Sequence, residues 1–219
     1  MKKILIGTNN PSKFQVFVDY LAGLDVCCVS PADIGLCEIP PETERSAAGN
    51  ALQKAKAWHR LSGLPVITED SGLVFVDLPE DHPDQPGVMV RRASGHAMND
   101  DEMLQWYSQL IQRHGGALRA AWEDAWCILK DEETFSLHTD LPETLTKHAK
   151  LMVSTPCEAR LPGWPLDSLT FDPLTGKYKA EMRLEEMHAM TDGISIEARL
   201  ERQQLVDWMR QTVQEMLIE

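Results

Sequence analysis

Apolar positions in the first third of the chain alternate between short unbroken runs and helical stripes. The run KKILIG predicts a buried strand, and Phe14, Phe17, Val18 and Leu21 then recur at i, i+3, i+4 and i+7, the period of a helix. DVCCVS predicts a second strand. PPETERSAAGNALQKAKAWHRLSG opens on a proline pair, places Leu52, Ala55, Trp58 and Leu61 at helical spacing, and stops at Gly63. LPVIT and LVFVD are expected as two short strands parted by EDSG, and PEDHPDQPG, residues 79 to 87, as a loop.

The strongest local signal is NDDEMLQWYSQLIQRHGG, where Asn99 can cap a helix, Glu102 completes a capping box, the first turn is acidic, and Gly115 and Gly116 end it. Between residues 117 and 155, AAWEDAWCILK, TFSLHT and HAKLMVST are candidate strands, with DEE as a hairpin turn. From Ile194 to Leu217, Leu200, Leu205 or Val206, Met209, Val213 and Met216 mark a long amphipathic helix. No repeat, low-complexity tract or domain boundary stands out. The expected architecture is one mixed α/β domain over residues 1–219, with a mixed central sheet flanked by helices and two lobes.

Composition narrows the class. With 219 residues of which 43% are hydrophobic, the chain can bury a substantial core. A net charge of -13 with scattered Lys and Arg argues against a protein that grips nucleic acid through its phosphates. It also means that an anionic substrate would need local cations or a metal to offset the protein's own field. The five cysteines, Cys27, Cys28, Cys37, Cys127 and Cys157, form no CxxC pair and are odd in number, which points to reduced thiols and a cytoplasmic protein. The opening apolar run is too short for a signal peptide, and no segment approaches the roughly 18 apolar residues of a membrane span; no membrane partner is expected.

Candidate chemistry begins at TNNPSKF, residues 8 to 14, where a strand hands over to a helix. Unpaired N–H groups, the helix dipole and the Lys13 ammonium could cradle a phosphate there, although a capped turn with a surface lysine has the same composition. Glu42 precedes the second helix, and Glu69 and Asp70 follow VIT; carboxylates so placed could hold Mg²⁺, or form a solvated acidic turn punctuated by Gly72. Arg91 and Arg92 could be a surface pair, and Trp164, one of six tryptophans, could be core. The seven histidines show no ligand spacing and are expected to be structural or exposed.

The order of these pieces carries more than any one of them. TNNPSKF, PPETERSAAGNALQKAKA, SGLPVITEDSGLVFVD and QPGVMVRRASG together resemble the inosine triphosphate pyrophosphatase family, over about the first 115 residues well and patchily thereafter. The resemblance implies an inosine triphosphatase-like fold with two lobes around a cleft, a homodimer, and Mg²⁺-assisted hydrolysis of a nucleoside triphosphate to NMP and pyrophosphate. It places Thr8, Asn10 and Lys13 in the phosphate loop, makes Glu42 a metal ligand, and sends Lys54 to the phosphates. Asp70 becomes metal ligand and base for water, with Glu69 beside it where most members have Asp. Ser71 and Gly72 match the turn that closes the site, and Arg92 the arginine of the following block.

In the second half the chain departs from the family. GWPLDSL keeps Gly163, an aromatic at Trp164 and an acid at Asp167, but loses the second glycine, the tyrosine and the proline of the base-recognition motif. GKYKAEM keeps Lys177. The family's Ser-His-Arg has no counterpart: depending on the alignment, Thr191, Asp192 and Gly193 or Ser195, Ile196 and Glu197 stand there. Three functions therefore stay open: a purine triphosphate pyrophosphatase with shifted base preference, a pyrophosphatase for another nucleoside phosphate, and a nucleotide-binding regulatory or interaction protein on a degenerate scaffold.

Overall fold

A computed structural model describes residues 1–140, 145–147, 149–183 and 196–218. The chain forms two compact units that interleave in sequence: Met1–Ser71 with Asp124–Asp140 and Ile196–Glu219, and Gly72–Glu123 with Leu141–Ser195.

In the first unit, β1 (Lys2–Ile6) lies between β2 (Val26–Val29) and the start of β3 (Val66–Phe75), parallel to both. Helices α1 (Pro11–Tyr20) and α2 (Ala47–Ser62) make the crossovers that parallel strands require. The end of β4 (Ala117–Leu129) pairs antiparallel with β5 (Phe135–Thr139). Ile4, Ile6, Phe17, Leu21, Ile67, Trp126 and Ile128 are buried together with Leu205, Met209 and Val213 of α4 (Ile196–Val213), and Leu217 follows in a π-helical turn, Gln214–Ile218. In the second unit the start of β4 pairs with β6 (Lys150–Val153), β6 with β7 (Thr170–Asp172), and β7 with β8 (Lys177–Tyr178), all antiparallel. Helix α3 (Asp100–Arg113) packs Met103, Leu104, Tyr107, Leu110 and Ile111 into this unit's core with Phe75, Leu118 and Met152. Its predicted capping box is formed: Asn99 Oδ1 accepts from Glu102 N at 2.9 Å and Asn99 N donates to Glu102 Oε2 at 2.8 Å.

Two expectations are corrected. LPVIT and LVFVD are not separate strands, because Val66–Phe75 is one extended strand through EDSG. Its polar side chains alternate between the two faces of a strand, which a turn reading overlooks. Gly72 is accordingly needed for close approach and not for a turn: a Cβ there would lie 3.1 Å from the carbonyl carbon of Gly87, whose strand-like bridge to Leu73 it adjoins. The buried face of α2 is also offset from the predicted stripe. Ala47, Asn50, Ala51, Ala55 and Trp58 are buried while Leu61 is exposed, because the small residues let α2 approach the sheet. Of the predicted tail helix, residues 194 and 195 lie outside the described residues.

Candidate active site

The first unit brings most of the motif residues together. Ser46 caps α2 by accepting from Gly49 N at 3.1 Å, and the segment before the cap is tied to the helix: Thr43 N donates to Gln53 Oε1 at 2.8 Å, Gln53 Nε2 to Thr43 Oγ1 at 2.7 Å, and Glu44 N to Asn50 Oδ1 at 2.9 Å. These bonds hold Glu42 over the middle of α2. The Thr68 hydroxyl donates to the Ala51 carbonyl at 2.7 Å and fixes β3 against the same helix. Lys54 is thereby aimed at the strand. Its ammonium donates to Asp70 Oδ1 at 2.7 Å, to the Glu69 carbonyl at 2.7 Å and to Glu42 Oε1 at 3.1 Å, using all three of its protons.

Asp70 is only 8% exposed, and its second oxygen, Oδ2, is buried with no hydrogen-bond partner among the described residues. A charged oxygen left so is costly unless something else meets it. Glu69, one step along the strand, points elsewhere: Lys13 Nζ donates to its Oε1 at 3.1 Å, and the Ser71 hydroxyl lies 3.4 Å from the same oxygen. The predicted metal set thus divides between Glu42 and Asp70 around Lys54 and Glu69 at Lys13. In the opening loop Asn10 Oδ1 accepts from Lys13 N at 3.4 Å and Asn10 N donates to Thr8 Oγ1 at 3.1 Å, so Asn10 caps α1 and sets the position from which Lys13 reaches β3.

The sequence reading missed Asp124. Burial pushes its carboxyl up to about 6; the Ser71 hydroxyl and Lys13 pull it down, and Glu69 and Asp140 push it up. Its main-chain N–H donates to Asp140 Oδ2 at 3.1 Å, which fastens the end of β5 beside it. An acid within the apolar strand WEDAWCIL was the available signal. Glu42, Glu69, Asp70, Asp124 and Asp140 outnumber Lys13 and Lys54, so this region holds net negative charge that a cation would offset.

The base-recognition candidates lie in the second unit. Trp164 is 42% exposed, which removes the core reading. It follows Gly163, whose φ of +82° is favoured by glycine, and Gly163 N donates to Asp100 Oδ2 at 2.7 Å while Arg91 Nη1 donates to Asp100 Oδ1 at 2.9 Å. One carboxylate thus ties the loop before Trp164 to the Val90–Arg92 turn that carries Arg92. Gly163 and Arg91 hold the Asp100 carboxyl below its usual range against the opposing effect of burial. Asp167 is buried and pairs with Lys179 at 3.0 Å, a lysine the sequence reading passed over in favour of Lys177, which lies in β8 opposite Asp172. Asp192, like residues 191, 193 and 195, lies outside the described residues, as does the side chain of Glu197. The histidines show no ligand spacing along the chain, yet the fold brings His82, Asp84 and His114 together with their ligand atoms within 4.8 Å of one another.

Residues 4–141 match the Ham1 family. The chain belongs to that family. A protein named dITP/XTP pyrophosphatase from Yersinia pseudotuberculosis is 29% identical over 194 residues, covering 87% of this chain and 92% of its own length. The protein of the same name from Escherichia coli O157:H7 is 28% identical over 192 residues with the same coverage. Among solved structures, a HAM1 protein from Coxiella burnetii matches with a TM-score of 0.69 at 20% identity, over 98% of this chain and all of that one. The nucleoside-triphosphatase, or dITP/XTP pyrophosphatase, from Mycobacterium abscessus matches with a TM-score of 0.63 at 24% identity, over 90% of this chain and 98% of that one. These likenesses bear out the mixed α/β fold and the resemblance to the inosine triphosphate pyrophosphatases.

Proposed function

We propose that this chain is a Mg²⁺-dependent pyrophosphatase that hydrolyses nucleoside triphosphates to NMP and pyrophosphate, working as a cytoplasmic homodimer without nucleic-acid or membrane partners. The observation that carries the reading is the meeting of Glu42 and Lys54, from one motif block, with Asp70 of the next, whose Oδ2 is buried without a hydrogen-bond partner among the described residues. The names of its relatives support the same class of reaction.

The donor set fits a hard divalent cation: Asp70 Oδ2 is an anionic oxygen lacking a partner, and the Glu42 carboxylate lies across Lys54 from it, with Glu69 as a further oxygen donor from the same strand. Mg²⁺ held there would neutralise phosphate charge and stabilise the leaving pyrophosphate. Lys13 and Lys54, which pair with Glu69 and with Asp70 and Glu42, would exchange these carboxylates for oxygens of the β and γ phosphates. Thr8, Asn10 and the N-terminus of α1 add N–H and hydroxyl donors, and Ser71 adds its hydroxyl beside Glu69 while Gly72 keeps β3 close against Gly87. Asp70 orients the attacking water and takes its proton as the new oxygen–phosphorus bond forms; the α–β anhydride breaks and its bridging oxygen departs with pyrophosphate. Trp164 offers a stacking face to the base, while Asp167, Lys177 and Arg92 contribute polar contacts to the nucleotide.

Pyrophosphate release measured over a panel of NTPs and dNTPs, with Mg²⁺ and with EDTA, tests the proposal. Metal-dependent release of pyrophosphate is expected. Nucleotide binding without turnover for every member would instead assign the chain to regulatory binding on a family scaffold.

A further inference from the structure

In the second unit, the His82-Pro-Asp84 turn of the 79–87 loop meets His114, the residue that closes the C-terminus of α3. His114 Nε2 lies 2.8 Å from Asp84 Oδ2, the Asp84 N–H donates to His82 Nδ1 at 3.1 Å, and the two imidazoles are edge to face with centroids 5.3 Å apart. All three side chains are partly buried, and their ligand atoms fall within 4.8 Å of one another. From this convergence we propose a second metal site, separate from the Glu42–Asp70 region, which takes a borderline first-row divalent cation such as Zn²⁺ through two imidazoles and one carboxylate.

Each part of the setting favours that occupant. Two imidazole nitrogens suit Zn²⁺ and its neighbours far better than Mg²⁺, which seeks oxygen and keeps its waters. His82 Nδ1 accepts the Asp84 N–H in its one in-plane lone pair, so this nitrogen carries no proton, and a metal bound there would take the place of that hydrogen bond. Metal at Asp84 Oδ2 would replace the proton now shared with His114, while Oδ1 keeps Arg113 Nη2 at 3.4 Å as the outer partner that orients a ligating carboxylate. The site also adjoins the carbonyl end of a 14-residue helix, which favours positive charge.

The turn is built before any metal arrives. Gln85 Nε2 donates to the carbonyls of Phe75, Leu78 and Pro79 at 2.9, 3.3 and 3.2 Å, and Gln85 Oε1 accepts from Phe75 N at 2.9 Å. His114 is set by its N–H to the carbonyl of Ile111 at 3.1 Å and by the left-handed Gly115 and Gly116 that follow. Three protein ligands would leave a fourth position for water, and a metal held by them would fasten the 79–87 loop to α3. Since Gly87 lies against Gly72 in the same unit, metal at the clip would steady the backbone behind the Ser71–Gly72 step of β3.

The test is Zn²⁺ titration of the full-length protein at pH 7.5 by calorimetry, with Co²⁺ spectra and thermal melting beside it, on the parent and on His114→Ala, Asp84→Asn and His82→Ala. Because the free cysteines can take up Zn²⁺ themselves, the reading is the difference between parent and variant. One equivalent that weakens at least about tenfold in each variant is expected, with a Zn²⁺-dependent rise in melting temperature in the parent alone. Co²⁺ should show ligand-field bands without thiolate charge transfer, and Mg²⁺-dependent hydrolysis by His114→Ala should stay within about twofold of the parent. Equal Zn²⁺ stoichiometry and affinity in the parent and in folded Asp84→Asn or His82→Ala would overturn the site and leave the cluster an ion pair.

Discussion

In the first unit Lys13 and Lys54 are held by carboxylates that outnumber them, and one Asp70 oxygen has no hydrogen-bond partner among the described residues; in the second, Asp167 is matched by Lys179 and Asp100 by Gly163 N–H and Arg91. The first arrangement leaves a buried carboxylate oxygen unsatisfied, and under the proposed function a cation and a polyanion together would relieve it. The second is satisfied as it stands, with Trp164 as its exposed element. The proposed chemistry on phosphate thus falls where the motif blocks are intact, and the proposed recognition of the base where they are not.

The sharpest way to break this comparison is Asp70→Asn. It keeps the volume but removes a charge and the base, so turnover should fall by about a thousandfold or more while nucleotide still binds. Single-turnover kinetics with an independent binding measurement would show it, and activity within about tenfold of the parent would remove Asp70 from the chemistry. EDTA should silence the parent to a similar degree.

Next in size, Lys13→Ala and Lys54→Ala should each weaken NTP binding by about 30- to 100-fold, with a smaller loss for NMP, which lacks the β and γ phosphates. Calorimetry on both nucleotides decides, because equal losses would mean that neither ammonium meets those phosphates. In the second unit, Trp164→Ala should raise KM for the preferred NTP by about tenfold and leave hydrolysis of inorganic tripolyphosphate unchanged. An equal effect on both substrates would show that the ring supports structure and not the base. The missing Ser-His-Arg sharpens this further. If an acid at Asp192 or Glu197 replaces those donors, a keto oxygen loses its partner, and the advantage of ITP and XTP over amino-bearing nucleotides should shrink by about ten- to a hundredfold. Retention of that advantage by two orders of magnitude would transfer base reading to Trp164, Asp167 and Lys177.

The smallest effect concerns Asp124 and stability. Its carboxyl is raised to about 6 in the folded protein, chiefly by burial. Below about pH 3 the carboxyl is largely protonated folded or unfolded, and no difference arises. As pH rises from there toward 6 the unfolded chain releases this proton first, so the folded state loses stability, with the whole cost present above that range. Asp124→Asn should therefore stabilise the metal-free protein at pH 7.5 by about 1 to 2 kcal/mol after discount for its partial exposure, a few degrees in Tm, and by almost nothing at about pH 3. Melting curves at both pH values check this; an equal gain at about pH 3 would assign the effect to packing.

Much was legible from local pattern. The β1–α1 handover, the Gly63 stop, the capped α3 and the strands of residues 117 to 153 follow from periodicity and caps, which act between near neighbours in the chain. So did the candidates Lys13, Glu42, Lys54 and Asp70, since their motif order survives as sequence. EDSG could not be read as strand interior because turn composition and a polar extended strand look alike until a neighbouring strand supplies hydrogen bonds. Asp124 stayed hidden because only the fold brings its strand near Ser71, Glu69 and Lys13, and His82 and His114 because a loop and a helix end far apart in sequence meet there. By itself the sequence determined which residues could carry charge, cap a helix or bind a phosphate, for those are properties of side chains and their near neighbours. Only the tertiary structure decided which of them share a lysine, which oxygen is left unpartnered and which carboxyl is pushed up, because burial and contact depend on residues that the chain order keeps apart.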